Sequence, residues 1–277
     1  MEHPVLPSTH IRRVAVVVPA RNEEKHIGRA LHAIRYAADL VQASRPEVSV
    51  GVVVVLDSCR DDTAKAVAET VGDDDRFVTL SAHLRSAGAS RALGALAALS
   101  GRVSGAVGTS GAVSGVSSAV SGAVAPIARV WLANTDADSV VPPHWLCGQL
   151  DLAEAGFDAV VGTVEPDPEE LDPVLLRRWL RHHPFVDDHE HVYGANLGVR
   201  ASTYVDVGGF DGVRTREDRL LVEKLRSKGA RIASTDAIRV LTSGRLDGRA
   251  PQGFAGYLRR LGETQGAGVE VIVEPAT

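Results

Sequence analysis

Arg13-Val14-Ala15-Val16-Val17-Val18 is a continuous run, apolar and largely β-branched from Val14 onward and closed by Pro19, and Val50 to Leu56 is a second one. Runs of this kind are strands covered on both faces, which places them inside a mostly parallel sheet. Each is followed by a stretch with helical patterning: Ile27, Leu31, Ile34, Ala38 and Val41 within Glu23 to Val41, then Asp61 to Val71. Asn22 and the acids Glu23 and Glu24 suit the start of the first helix. Phe77 to Leu80 and a helix over Ser86 to Leu99 repeat the unit. Parallel strands need right-handed helical crossovers, so the alternation predicts an α/β sheet flanked by helices. The 277 residues, 44% of them apolar, suffice for one large α/β domain or two joined lobes.

Further along, Val130 to Asn134 reads as a strand that delivers Asp136-Ala137-Asp138, and Pro142-Pro143-His144-Trp145-Leu146 opens a helix. Ala159 to Gly162 is a short strand. Pro166 to Asp188 changes in character, rich in acids, Arg, His and Pro around a helix at Leu171 to Leu180. A helix over Arg216 to Gly229, an extended Arg231-Ile232-Ala233 and a helix at Gly253 to Leu261 complete the pattern. Between the third helix and the Val130 strand, no charge occurs from Val103 to Ala128, and Ser-Gly-Ala-Val recurs at 104–107, 110–113 and 121–124. That segment lacks the Leu, Ile and Phe that drive membrane insertion, and crossing a bilayer there would split the sheet. It reads as a low-complexity insertion over 101–126, flexible or loosely helical.

Thirty basic and 35 acidic residues, with no long block of either sign, argue against nucleic acid as a partner. Cys59 and Cys147 are too few for a disulfide framework and lack zinc spacing, which favours a reducing cytoplasm. The first residues lack the basic start and apolar core of a secretion signal.

Ligands of open α/β sheets sit outside the carboxyl ends of the strands. Three polar clusters occupy those positions: Pro19-Ala20-Arg21-Asn22-Glu23-Glu24, Asp57 to Thr63, and Asp136-Ala137-Asp138. Each has a plainer reading, in which Asn22 and Asp61 cap helices, Asp57 forms a turn and the Asp-x-Asp is a turn or cap. Their joint occurrence favours a shared ligand, and two carboxylates behind a buried strand suit a divalent cation with its phosphates.

These residues resemble family 2 glycosyltransferases of the GT-A fold. The resemblance runs through Val18 to Glu24, Val55 to Thr63, Arg85 to Gly94, Asn134 to Ser139, Gly194 to Arg200 and Arg216-Glu217-Asp218, in order, over residues 13 to 235. It implies a Rossmann-like, mostly parallel central sheet in one domain over 1–277. Residues 13–138 would form the nucleotide-sugar half and 139–277 the acceptor half. It further implies inverting, metal-dependent transfer from a nucleotide-diphosphate sugar, UDP favoured over GDP, to a hydroxyl acceptor. By position, Pro19, Ala20, Arg21 and Glu23 line the nucleoside pocket and Asp57 accepts a hydrogen bond from the base. Arg85, Gly88 and Arg91 follow the nucleotide and its phosphates. Asp138 is the main ligand of Mg²⁺ or Mn²⁺, with Ala137 beside it and Asp136 reaching the ribose or, through water, the metal. Asp218 is the expected general base, and Glu217 orients the acceptor.

Other segments keep two readings. His191, leading into Gly194-Ala195-Asn196, belongs to an acceptor loop or is an ordinary exposed histidine; the spacing of His182 to His191 does not match a zinc hydrolase. Arg245 and Arg249 bind diphosphate or decorate an exposed basic loop. A non-catalytic nucleotide-sugar sensor would keep the donor pocket without needing Asp218. A nucleotidyltransferase would need a Gly-rich phosphate loop, which Pro19 to Glu24 does not resemble. Homo-oligomerisation and peripheral membrane association stay open.

Overall fold

In the computed structural model, residues 10–100, 126–213, 215–248 and 253–263 are described. The two continuous apolar runs form β1 (Arg13–Ala20) and β2 (Ser49–Asp57), paired in parallel with Val14 opposite Val50 and Ala20 opposite Leu56. Between them α1 (Ile27–Ser44) buries Ile27, Leu31, Ile34, Ala38 and Val41, the stripe its spacing predicts. Next come α2 (Thr63–Val71), β3 (Phe77–Ala82) and α3 (Ala87–Leu99). β4 (Val130–Asn134) then returns to the other side of β1, also parallel.

The chain continues through the two-residue β5 (Ser139–Val140), α4 (Trp145–Glu154), β6 (Ala159–Pro166), α5 (Pro173–His182) and β7 (Leu197–Arg200). It ends with α6 (Ala201–Asp206), α7 (Glu217–Ser227), β8 (Ile232–Thr242) and α8 (Phe254–Glu263). The sheet order is β3-β2-β1-β4-β7-β6-β8-β5. Its first four strands are parallel, whereas β7 runs antiparallel to both β4 and β6. β5, β7 and α6 were not expected from the apolar pattern. The insertion expected over 101–126 lies, apart from Pro126, outside the described residues.

Two compact units emerge: Met1–Glu165 with Val186–Thr242, and Pro166–Phe185 with Ser243–Thr277. The pairing of β4 with β7 joins residues from both of the expected halves, 13–138 and 139–277, in one sheet. In the larger unit, α3, α6 and α7 contribute to one apolar cluster with the sheet, including Val53, Val55, Ala95, Leu132, Val199, Tyr204 and Leu221. Gly94 lets α3 approach β1 closely, since a Cβ there would lie 2.5 Å from a Val17 methyl. The smaller unit is held by Trp179, which stacks on His183 at 3.5 Å and meets the ring edges of Phe254 and Tyr257 at 4.9 and 5.6 Å. No described helix is long and apolar enough to cross a membrane.

Candidate active site

The chain turns outward from β1 to β2 and β3, then jumps back to place β4 on β1's other side. The β1/β4 junction is therefore a topological switch point, where the strand ends diverge and open a crevice for ligands. Pro19 to Glu23 leave β1 on one side of it and Asp136 to Asp138 leave β4 on the other. Three loops at the carboxyl ends of these parallel strands each hold a non-glycine residue in the left-handed region: Asn22 at φ 52°, Ser58 at 56° and Arg85 at 53°. Such backbone is costly and persists where surrounding contacts enforce it, commonly at functional sites.

Those contacts are visible. Asn22 Oδ1 accepts from the Arg60 amide at 2.7 Å, the Glu23 amide donates to Thr63 Oγ1 at 2.7 Å, and the Asp62 amide donates to Glu24 Oε2 at 3.0 Å. The first two loops are thus one cross-linked unit. Glu23 itself is buried, with His26 Nδ1 3.4 Å from its carboxylate. Asp57, 4% exposed, accepts from the amides of Leu84, Arg85 and Ser86 and from the hydroxyls of Ser58 and Ser90. Burial pushes its carboxyl up, but these donors together hold it below the usual range. With both oxygens engaged, Asp57 braces the turn that carries exposed Arg85, and a base contact would have to displace one of these donors.

Arg91 on α3 is 2% exposed and donates through one terminal nitrogen to Glu217 and through the other to Asp136. Sequence reasoning placed this guanidinium along the phosphates. The structure corrects that, because a buried cation committed to two carboxylates is not presented to a ligand. Burial opposes its charge, but Asp136 and Glu217 outweigh that and hold it firmly ionised. Burial pushes the Glu217 carboxyl up, against the downward pull of Arg91. Gly88 is corrected likewise. It is buried, and a Cβ there would lie 2.5 Å from the Asp211 carbonyl and 2.8 Å from Glu217 Cβ, so its missing side chain admits α7 rather than a phosphate.

Glu217 and Asp218 open α7, and Arg216 before them is again left-handed at φ 65°. Half-buried Asp218 accepts from the Gly194 amide at 2.7 Å and from the Arg219 amide at 2.7 Å. Gly194 also lies against Arg91, whose Nη2 would be 2.7 Å from a Cβ at that position. Asp136, Arg91, Glu217, Asp218 and Gly194 therefore form one continuous polar assembly across α3, α7 and the loops beside β4 and β7.

No family model matches this sequence, and no curated protein does. Solved structures do share its fold. The first 349 residues of TarS from S. aureus superpose with a TM-score of 0.54 at 15% identity over 83% of this chain and 60% of that one. Mannosyltransferase PcManGT from Pyrobaculum calidifontis, in complex with GDP-Man and Mn²⁺, gives 0.57 at 19% over 90% and 62%. Glucosyl-3-phosphoglycerate synthase from Mycobacterium tuberculosis, in complex with Mn²⁺, UDP and glucosyl-3-phosphoglycerate, gives 0.50 at 15% over 92% and 78%. The fold is the GT-A glycosyltransferase fold. The chain spans less than two thirds of the TarS fragment and of PcManGT.

In this GT-A chain, hard oxygen donors for a cation come from Asp138 and Asp136, both half-buried behind β4. Among the described residues no three His, Cys, Asp or Glu side chains group to hold a metal. Asp136 is moreover drawn to Arg91. This donor set fits Mg²⁺ or Mn²⁺ only in the mode such ions commonly use, with one or two carboxylates and the remaining positions filled by water and substrate phosphate. Thr135 Oγ1, next to Asp136 in the chain, and Arg21 Nε, in the loop after β1, are buried without a hydrogen-bond partner among the described residues.

The remaining expected residues divide sharply. Asn196 is fully buried, donating to the Thr163 and Ile238 carbonyls at 2.9 and 2.8 Å and accepting from Trp145 Nε1 at 2.9 Å. With its amide committed to tying β6, β8 and α4 together, it is a structural residue and not an acceptor contact. Ala20, Ala137 and Ala195 are buried, so only their backbones are suited to a ligand. Half-buried His191 lies between the rings of His189 at 6.1 Å and Tyr193 at 6.0 Å, on the segment leading into Gly194. Arg245 belongs to the smaller unit, where its amide donates to Ser243 Oγ, and Arg249 lies outside the described residues. Sequence reasoning missed Ser86, which caps α3 and donates to the Val213 carbonyl at 2.7 Å, and Phe210, whose ring lies 6.0 Å from the Arg91 guanidinium carbon. Ser86 was discoverable as a cap; Phe210 carried no sequence signal.

Proposed function

We propose that this chain is an inverting, metal-dependent glycosyltransferase that moves a sugar from a nucleoside diphosphate sugar to a hydroxyl acceptor. The observation that carries the reading is the assembly joining Asp136, behind the switch-point strand, to Asp218 on α7. It brings a donor-side carboxylate and a candidate base onto one edge of a GT-A sheet. The solved relatives with Mn²⁺ and UDP or GDP-Man support the donor class. UDP is favoured over GDP as the default for the resemblance.

The Gly194 amide holds the Asp218 carboxylate in place, leaving lone pairs to take the acceptor's proton. The acceptor oxygen forms the new bond to the anomeric carbon as the bond to the diphosphate oxygen breaks. The electron pair leaves with the nucleoside diphosphate, and a single displacement inverts the centre. A divalent cation at Asp138 would supply charge neutralisation to that leaving group. Arg85, exposed on the braced turn, is the arginine of the 85–91 segment suited to a diphosphate. A cytoplasmic setting fits the two free thiols, Cys59 and Cys147.

Thermal unfolding with UDP, GDP and their sugars, with and without Mn²⁺, tests the reading. A nucleotide that raises the unfolding temperature only with metal supports it. No response to any of these ligands would overturn it.

A further inference from the structure

We infer that Arg91 is a positioning residue that couples the donor-side carboxylate Asp136 to the acceptor-side helix α7, so that each half of the site sets the geometry of the other. This inference rests on the functional reading above. Arg91 donates to both Asp136 and Glu217, and Glu217 is the immediate neighbour of Asp218. The guanidinium is fixed from several sides: Phe210 stands 6.0 Å away, Gly194 leaves room for its terminal nitrogens, and Gly88 leaves room for Glu217. Any side chain at position 88 or 194 would intrude on this arrangement.

The planar fork of arginine reaches two carboxylates in different directions through donors of fixed geometry, whereas a lysine offers one compact, flexible ammonium. The bridge also divides labour between the two acids behind β4. Asp136 is drawn to Arg91, which leaves Asp138 as the carboxylate for a cation. Acceptor-side displacement of α7 therefore moves Glu217, Arg91 and Asp136 together, and donor binding orients Asp218 by the same route.

The probes are UDP and Mn²⁺, titrated calorimetrically into the full chain and its D136N, E217Q, D136N/E217Q, R91K and R91K/E217Q variants, each checked for a folded state. E217Q is expected to weaken Mn²⁺-dependent UDP binding at least threefold, although Glu217 lies on α7. In the R91K or D136N background the same substitution should add little. An equal E217Q effect in every background, or none in the wild type, would overturn the coupling. So would weakening by R91K that neither D136N nor E217Q reproduces, which marks Arg91 as a direct diphosphate contact. If R91K does not fold, the D136N and E217Q cycle decides by itself. If UDP with Mn²⁺ does not bind the wild type, the same cycle is run with GDP and Mn²⁺; if neither nucleotide binds, the functional reading fails instead. The bridge is then read in urea unfolding, where strictly additive D136N and E217Q effects would refute it.

Discussion

The Gly194 amide donates to Asp218 Oδ2 at 2.7 Å, linking the loop before β7 to the first turn of α7. This contact orients a carboxylate without neutralising it. Asp218→Asn keeps the side chain's shape and one acceptor oxygen but loses the ability to take a proton. Transfer should fall by about 10²–10⁴-fold, while UDP binding with Mn²⁺ stays near wild type. Single-turnover transfer and calorimetry on the same preparation measure both; retained transfer would remove Asp218 as the base.

Asn196→Ala tests whether that residue serves structure rather than acceptor. It strands Trp145 Nε1 and the Thr163 and Ile238 carbonyls in a buried setting. A loss of about 3 kcal/mol in urea unfolding is expected. A variant as stable as wild type but impaired in acceptor use would reverse the assignment.

Gly88→Ala places a methyl against the Asp211 carbonyl and Glu217. Because the first neighbour is the backbone of the segment before α7 and the second is Glu217 Cβ, α3 must part from both that segment and the start of α7, costing about 1–3 kcal/mol. Donor binding should weaken with it, since Arg91 and Glu217 lose register. An unchanged unfolding midpoint would show that the two helices are not tightly seated.

Acid stability has a separate origin. Asp74, before β3, is bonded by the Arg76 side chain, and Arg35 donates to it as well; together they pull its carboxyl down to about 2 from 3.8. A depressed carboxyl stabilises the fold above its unfolded value, and this contribution is lost as pH falls from 3.8 towards 2. Melting temperatures between pH 5 and 2.5 should fall less steeply for Asp74→Asn than for the wild type. Parallel curves would remove this pair from the acid response.

The β-branched runs of β1 and β2 and the stripe on α1 were legible because burial on two faces or one leaves a periodic trace. β7 is four residues long and directly follows the stretch read as acceptor loop, and antiparallel reversal leaves no periodic trace. The start of α1 was misplaced for a different reason. Glu23 and Glu24 looked like a first turn, but their amides are taken by Thr63 and Asp61, and the helix begins at Ile27. A contact between distant loops outweighed local capping preference. The same limit explains Arg91, Gly88 and Asn196, whose residue types were visible but whose partners lie on elements far along the chain.

Trp179 on α5 shares its rings with Phe254 and Tyr257 on α8, and the whole body of the larger unit's last strand is made between them. During synthesis α5 therefore emerges with the side of Trp179 that meets Phe254 and Tyr257 open until residues 254–263 follow. The interval is a window in which Trp179 and Leu175 are open to chaperones and proteases. Ribosome-stalled chains ending before α8 should be cut at α5 far faster than chains that extend past it.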